Sequence, residues 1–230
     1  MTDLKSKRRQ MVDGQLRTYD VFNLAVIDAF DAVERENFIP QSQQPLAYCD
    51  KPLPLGYEGR TLLTPMVLAR LIQAFEIPAF DKSSLVQSEK PLKILNIAGG
   101  LGYGAAILAR LGAHVALLEE SEALVKTAQD NITRAKLNDA VSVHCGILTH
   151  GVAQHAPFDA ILIEGVFEIL PEQLVAQLKE GGTLIGLQGT HAATKAMIYQ
   201  KIAGQMSGRV LISAHGCQLK AFARTEDFAF

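Results

Sequence analysis

From residue 92 onward, the chain alternates short apolar runs with segments of helical pattern. The apolar runs are continuous rather than alternating, which is typical of strands buried on both faces of a parallel sheet. Alternation of such strands with helices predicts an α/β fold with helices covering both faces. The predicted strands are residues 92–97, 114–119, 141–145, 158–163, 183–187 and 208–215, and the predicted helices are residues 102–111, 121–137 and 171–179.

The first 80 residues have a mainly helical pattern. Val21, Leu24, Ile27 and Phe30 recur at helical spacing, so we predict a helix with these side chains on its buried face. Residues 51–63 contain prolines and glycines and predict extended or looped chain.

Thr64 followed by Pro65 predicts the start of a second helix in this part. A threonine hydroxyl accepts hydrogen bonds from the free N–H groups of a first turn, and proline suits that turn. The polar residues 81–91 then predict a surface connection. We therefore predict an N-terminal helical extension over residues 1–90, packed on a main domain over residues 91–230.

Composition excludes several classes of protein. The formal charge is −2, from 22 Lys+Arg against 24 Asp+Glu, which argues against a protein that neutralises many phosphates of a nucleic acid. No apolar stretch is long enough to cross a bilayer, so no membrane partner is expected. Three widely spaced cysteines, Cys49, Cys145 and Cys217, predict buried, reduced thiols in a cytoplasmic protein and no disulfide framework. Neither these cysteines nor the histidines show the spacing of a metal site.

A glycine-rich turn follows the first predicted strand of the main domain. Gly100 and Gly102 lie where the strand passes into a helix, which allows the backbone to approach a ligand closely. The next predicted strand ends at Glu119, about 20 residues further on, where a carboxylate can accept hydrogen bonds from both hydroxyls of a ribose. This pair of features predicts a nucleoside-containing cofactor. NAD and S-adenosyl-L-methionine both fit the local spacing.

Several segments in order along the chain resemble one family, the protein-L-isoaspartate O-methyltransferases. Examples are VERENFIP, which is similar to the family's V-P-R-E-x-F-V-P segment, and TLLTP, which falls on its T-I-S-x-P motif. The upstream segments have no role in an NAD enzyme, so the resemblance favours S-adenosyl-L-methionine. The segments that carry it are residues 33–40, 47–53, 61–65, 102–109, 158–163 and 170–189.

The resemblance implies the fold and the reaction. The fold is a doubly wound, mostly parallel seven-stranded sheet of the class I S-adenosylmethionine methyltransferase (Rossmann-like) type, behind an N-terminal helical extension. The reaction is methyl transfer from S-adenosyl-L-methionine to a free carboxylate of a damaged polypeptide, which promotes protein repair. A carboxylate is nucleophilic enough to attack a sulfonium methyl, so catalysis mainly needs positioning and water exclusion. The expected partners are therefore a small-molecule cofactor and a peptide or protein carboxylate.

The chain departs from the family pattern at four positions. The substrate-site serine falls on Leu63, which leaves Thr61 and Thr64 as candidate hydroxyls, although Thr64 is better explained as a helix cap. The acid of the glycine motif falls on Asn96 and its first glycine on Ala98, which costs about 1–2 kcal/mol if the turn is left-handed. The acid usually near the adenine falls on Ile147. The predicted cofactor-binding residues are Asn96, Ala98, Gly100, Gly102, Glu119 and Ile147.

These departures leave a second hypothesis open, a non-catalytic family member that acts as a binding or regulatory module with weak or no cofactor binding. An NAD oxidoreductase is a third and more distant one. Among other polar residues, Asp159 is interpreted as a structural anchor, and His150 and His155 as surface side chains. Glu164 lies at the carboxyl end of the strand over residues 158–163 and faces the expected crevice. A structural role is favoured for it over contact with a ligand.

Overall fold

The computed structural model describes residues 3–75, 90–190 and 193–224. Most of the predicted surface connection at residues 81–91 lies outside them. The described strands form a two-stranded antiparallel pair, β1 and β2, and a seven-stranded sheet of order β5-β4-β3-β6-β7-β8-β9. The strand bounds are β1 Leu53–Pro54, β2 Thr61–Leu62, β3 Lys93–Ile97, β4 His114–Glu119, β5 Val141–Cys145, β6 Phe158–Phe167, β7 Leu178–Thr190, β8 Ala193–Ile202 and β9 Gln205–Ser213.

The α-helices surround this sheet. Their bounds are α1 Leu4–Met11, α2 Leu24–Ala32, α3 Pro65–Gln73, α4 Tyr103–Arg110, α5 Glu122–Arg134 and α6 Glu172–Ala176. A π-helical turn continues α1, and short 3-10 turns fill several connections. None of the described helices is both long and apolar enough to cross a membrane.

Five strands of the large sheet, β5, β4, β3, β6 and β7, are parallel, and β8 and β9 continue it as antiparallel neighbours. Successive residues of β3 point to opposite faces, so Ile94 and Leu95 enter different hydrophobic clusters. The first cluster joins one sheet face to helices α2–α5, and the second joins the other face to α6 and to 3-10 turns. The α/β class and the mostly parallel seven-stranded sheet are confirmed.

The boundaries differ from the sequence predictions at the sheet's far edge. β8 was not predicted, because its residues alternate between buried and exposed instead of forming a continuous apolar run. Helix α6 has only five residues, since β7 already begins at Leu178.

Two side-chain predictions in the rest of the chain are also wrong. Leu24 begins α2 but is 67% exposed, because the buried face of that helix is formed by Val26, Ile27, Ala29 and Phe30. The cysteines are free, as predicted, but not buried: Cys145 is exposed and the other two are half-buried.

The N-terminal helices pack against the start of α4, directly behind the glycine-rich turn. Phe30 of α2 contacts the ring of Tyr103 edge-on, with ring centroids 5.9 Å apart. Phe38 contacts the same ring at 5.9 Å. The extension therefore supports the loop where a ligand would bind. The domain boundary at residue 90 stays a prediction.

Candidate functional site

The turn between β3 and α4 has three residues in the left-handed region. Ala98 has φ 57°, Gly100 has φ 58° and Gly102, which caps α4, has φ 95°. Left-handed backbone is strained for a residue with a Cβ, so the cost of about 1–2 kcal/mol predicted for Ala98 in a left-handed turn applies. The turn is held by hydrogen bonds from the N–H of Ala98 to the carbonyl of Leu118 and from Gly102 to Gly99.

Replacing Ala98 with glycine should therefore stabilise the protein. The strain that this change removes is about 1–2 kcal/mol, and the entropic cost of a glycine is about 0.5–1 kcal/mol. We therefore expect the free energy of unfolding to rise by about 0.5–1 kcal/mol. Urea denaturation measures it. Ala123→Gly, at an exposed position of α5, is the control and should lose stability. A loss of stability in Ala98→Gly would contradict this account of the turn.

Glu119, the predicted ribose acid, is fully buried and already has four hydrogen-bond donors. Its Oε1 accepts from Gly100 N at 2.6 Å and from Arg60 Nη2 at 2.8 Å. Its Oε2 accepts from Arg60 Nη1 and from Glu120 N, both at 3.2 Å. A carboxylate offers about four acceptor sites, so all of them are used. A ribose diol can bind Glu119 only if Arg60 moves away.

Arg60 lies 4% exposed in the segment between β1 and β2, and it also donates from Nη2 to the carbonyl of Ala98 at 2.7 Å. Burial lowers the pKa of Arg60, but the charge and hydrogen bonds of Glu119 outweigh burial, so the pKa is raised. From the same segment, Leu55 covers the loop, because a Cβ added at Gly100 would lie 2.6 Å from Leu55 Cδ1. The segment from Leu53 to Leu62 thus closes over the ribose acid with the chain's own side chains.

Asn96 and Glu164 form a second buried polar pair beside the loop. Asn96 Nδ2 donates to Glu164 Oε1 at 2.9 Å, and both residues are at most 3% exposed. Asn96 Oδ1 is buried and has no hydrogen-bond partner in the described part of the chain. Burial raises the pKa of Glu164 to about 7, against the hydrogen bond from Asn96.

Arg35 completes the charged surroundings. Its Nε donates to the carbonyl of Ala47 and its Nη2 to that of Leu63, each at 2.8 Å, and its guanidinium lies 4.9 Å from the ring centre of Tyr103. Burial lowers the pKa of Arg35 and raises that of Tyr103 to about 12. Two neutral carbonyls and an aromatic face hold this arginine, so its positive charge is available to the site.

The structure places the residues of the T-I-S-x-P segment as follows. Leu63 is buried and packs close to Gly216, and Thr61 lies half-buried in β2, where its carbonyl accepts from Cys217 Sγ at 3.7 Å. Thr64 is the N-cap of α3, with Oγ1 accepting from Val67 N at 3.4 Å. The hydroxyl of Thr64 is therefore used by the helix. A role in chemistry stays a prediction for both threonines.

We expect Thr64→Ala to lower the free energy of unfolding by about 1 kcal/mol, because α3 loses its cap, while Thr64→Ser keeps it. Urea denaturation of the two variants measures the difference. If Thr64→Ala kept full stability but abolished methyl transfer, the hydroxyl would act on the substrate instead of on the helix.

Four other polar or apolar residues singled out in the sequence lie outside the two buried polar pairs. Ile147 follows β5 and is 57% exposed. Asp159 is an anchor, accepting from Lys93 N at 2.8 Å and lying 2.5 Å from Lys179 Nζ. His150 is exposed, whereas His155 is half-buried against His144, with ring centroids 4.8 Å apart.

Sequence reasoning missed Arg60 and Arg35. Arg35 lies in the quoted VERENFIP segment, so its match to the family was the available signal. Arg60 is a single cation between Gly59 and Thr61 in a predicted loop, and no spacing rule connects it with Glu119.

Comparison with known proteins supports the resemblance. The family model described as protein-L-isoaspartate(D-aspartate) O-methyltransferase matches residues 6–215. A protein-L-isoaspartate O-methyltransferase of Methylorubrum extorquens is 37% identical over 183 residues, which cover 80% of this chain and 74% of that protein. One of Methanoculleus marisnigri is 32% identical over 185 residues, 80% of this chain and 78% of that protein.

Solved structures show the same fold. One protein-L-isoaspartate O-methyltransferase superposes with a TM-score of 0.77 at 24% identity, covering 92% of this chain and 65% of that chain. A Plasmodium falciparum protein described as a protein-L-isoaspartate O-methyltransferase, in complex with S-adenosyl-L-homocysteine, superposes with a TM-score of 0.75 at 21% identity, covering 93% of this chain and 98% of that chain. With a family model matching most of its length and curated relatives above 30% identity, the chain belongs to the protein-L-isoaspartate(D-aspartate) O-methyltransferase family.

Proposed function

We propose that the protein transfers a methyl group from S-adenosyl-L-methionine to a carboxylate of a damaged polypeptide, as an isoaspartyl methyltransferase or a close relative with a different acceptor. The observation that carries the proposal is the left-handed glycine-rich turn beside the buried Glu119, in a chain that matches the family over residues 6–215. A cytoplasmic location fits the free cysteines.

The residues around the turn fit the cofactor in part. The unpartnered Asn96 Oδ1 provides a free acceptor for the amino-acid end of the cofactor, and Gly100 and Gly102 allow close backbone approach. Glu119 would hold the ribose hydroxyls once Arg60 is displaced. When bound, S-adenosyl-L-methionine supplies an electrophilic methyl group.

The chain's own contribution is positioning. A carboxylate acceptor needs no general base, so the protein must orient it and exclude water. The segment from Leu53 to Leu62 lies over the turn and can provide that cover. Leu63 offers no hydroxyl to an acceptor carboxylate, so selection of the isoaspartyl group would depend on other residues. Thr61 and Thr64 remain the proposed candidates.

A non-catalytic binding module is the second candidate, and the ion pair between Arg60 and Glu119 favours it. This pair satisfies the ribose acid internally, so Glu119 keeps all its hydrogen-bond partners with no cofactor bound.

Two measurements decide between the candidates. Calorimetry with S-adenosyl-L-homocysteine should show binding, and methyl release from an isoaspartyl peptide should exceed that from the matching aspartyl peptide. Absence of binding at millimolar ligand would refute the methyltransferase. Binding without methyl release from any carboxylate peptide would support the regulatory module.

A further inference from the structure

Position 96 and position 164 together form one acidic site. The glycine motif has Asn96 where the family pattern has an acid, and a buried carboxylate from the neighbouring strand lies directly against this asparagine. β3 and β6 pair in parallel with Asn96 opposite Leu162, and Glu164 lies two residues further along β6. Its Oε1 is 2.9 Å from Asn96 Nδ2.

The first turn of α4 leaves room for this carboxylate. A Cβ added at Gly104, the second residue of α4, would lie 2.0 Å from Glu164 Oε1. A side chain at position 104 would therefore exclude Glu164 from its place. The carboxyl group thus lies at the first turn of α4, beside the loop that would receive a ligand.

The two side chains have unused acceptors. Asn96 Oδ1 is buried without a partner in the described chain, and there the only hydrogen bond to the Glu164 carboxylate is the one from Asn96. An acceptor left unpaired in a protein interior is costly, so a donor with positive charge is the ligand group that this arrangement favours. The charged groups in electrostatic range of Glu164 are Arg35, Arg60 and Glu119.

We infer that Glu164 replaces the acid missing at position 96 and holds the α-ammonium group of the cofactor together with Asn96 Oδ1. This inference rests on the proposed function. It assigns a cofactor-binding role to a residue outside the glycine motif, and it means that the negative charge has moved from one strand to the next instead of being lost.

The ionisation of Glu164 agrees with this role. Burial raises the pKa to about 7, so Arg35 and Arg60 do not compensate for the loss of solvent around the carboxylate. A bound ammonium group would lower this pKa. Binding near pH 7 should therefore release the proton from the fraction of Glu164 that is protonated.

The first test compares two probes that differ in the amino-acid part of the ligand, which includes the ammonium group. S-adenosyl-L-homocysteine carries it, and 5′-methylthioadenosine does not. We expect Glu164→Gln to weaken binding of S-adenosyl-L-homocysteine by about 10- to 100-fold, as for loss of a charge-assisted hydrogen bond, and to leave 5′-methylthioadenosine within about twofold. The double variant Asn96→Asp with Glu164→Gln returns the carboxylate to position 96 and should recover most of the affinity.

The second test needs no variant. Calorimetry of the wild-type chain at pH 7, in buffers of different ionisation enthalpy, should show release of about half a proton with S-adenosyl-L-homocysteine and none with 5′-methylthioadenosine. Equal affinity of wild type and Glu164→Gln for S-adenosyl-L-homocysteine would overturn the inference and leave the proposed function standing. Failure of the wild type and of Arg60→Gln to bind either probe would overturn both.

Discussion

Replacing Arg60 with glutamine is expected to lower the free energy of unfolding by about 3–5 kcal/mol and to tighten binding of S-adenosyl-L-homocysteine by about tenfold or more. The loss of stability follows from burial. Glu119 is completely buried, and without Arg60 the described part of the chain offers its charge only two backbone donors, Gly100 N and Glu120 N. The gain in affinity follows from the same change, because ribose hydroxyls then meet free acceptors instead of an occupied carboxylate. Urea denaturation and calorimetry on one preparation measure both effects.

Two further variants separate this explanation from general damage. The double variant Arg60→Gln with Glu119→Gln removes both charges and should recover most of the stability, but it should lose the gain in affinity, because it lacks the carboxylate. The control Arg70→Gln removes an arginine of α3 that pairs with the exposed Asp20 at the protein surface. It should change the affinity for S-adenosyl-L-homocysteine by less than about twofold. If Arg60→Gln bound S-adenosyl-L-homocysteine more weakly than the wild type, Arg60 would belong to the bound state and would not block it.

The ion pair also relates the two functional hypotheses to each other. With Arg60 in place, the protein has the resting state expected of a non-catalytic module. With Arg60 displaced, it presents the turn and ribose acid expected of the enzyme. A ligand shifts such an equilibrium only by its differential affinity for the two arrangements. The affinity of the wild-type chain for S-adenosyl-L-homocysteine therefore reflects the free energy needed to break the ion pair between Arg60 and Glu119.

The sheet could be predicted from the sequence because its central strands are buried on both faces. β3, β4 and β6 consist of nearly continuous apolar residues, which sequence patterns report directly. β8 lies near the sheet's edge, and its alternating burial has no such signature. The end of β6 was also placed too early, at residue 163. The strand continues to Phe167 through a register shift between Ile163 and Val166. Glu164 therefore lies within the strand.

The site could be predicted only where its chemistry is local in sequence. Gly100, Gly102 and the position of Glu119 follow from a strand, a turn and the next strand. Arg60 reaches Glu119 across 59 positions, and Glu164 reaches Asn96 across 68. Contacts of this kind depend on how the segment before α3 folds over the turn and on the register of two strands. A charge count cannot reveal these contacts either, since the net charge does not depend on which charged residues lie next to each other.

The wild-type protein is expected to lose stability as the pH rises from about 5 to about 8, and Glu164→Gln is expected to remove up to about 3 kcal/mol of that loss. The pKa of Glu164 is raised by burial to about 7 in the folded protein, above the ordinary 4.5 of an unfolded chain. Between these values the folded state holds a proton that the unfolded state has released. The stabilisation is therefore complete below pH 4.5 and disappears as the pH rises through 7. Urea denaturation of both proteins at the two pH values measures it.

The matched control is Glu122→Gln, which changes an exposed glutamate at the start of α5. Its stability difference from the wild type should be nearly the same at both pH values, because that carboxylate stays in water on folding. S-adenosyl-L-homocysteine provides a second check. If its ammonium group pairs with the Glu164 carboxylate, a saturating concentration should stabilise the wild type more at the higher pH, where that carboxylate is already charged. A Glu164→Gln difference that does not change with pH would show that Glu164 ionises normally in the folded protein, and the proton release expected on ligand binding would then be absent.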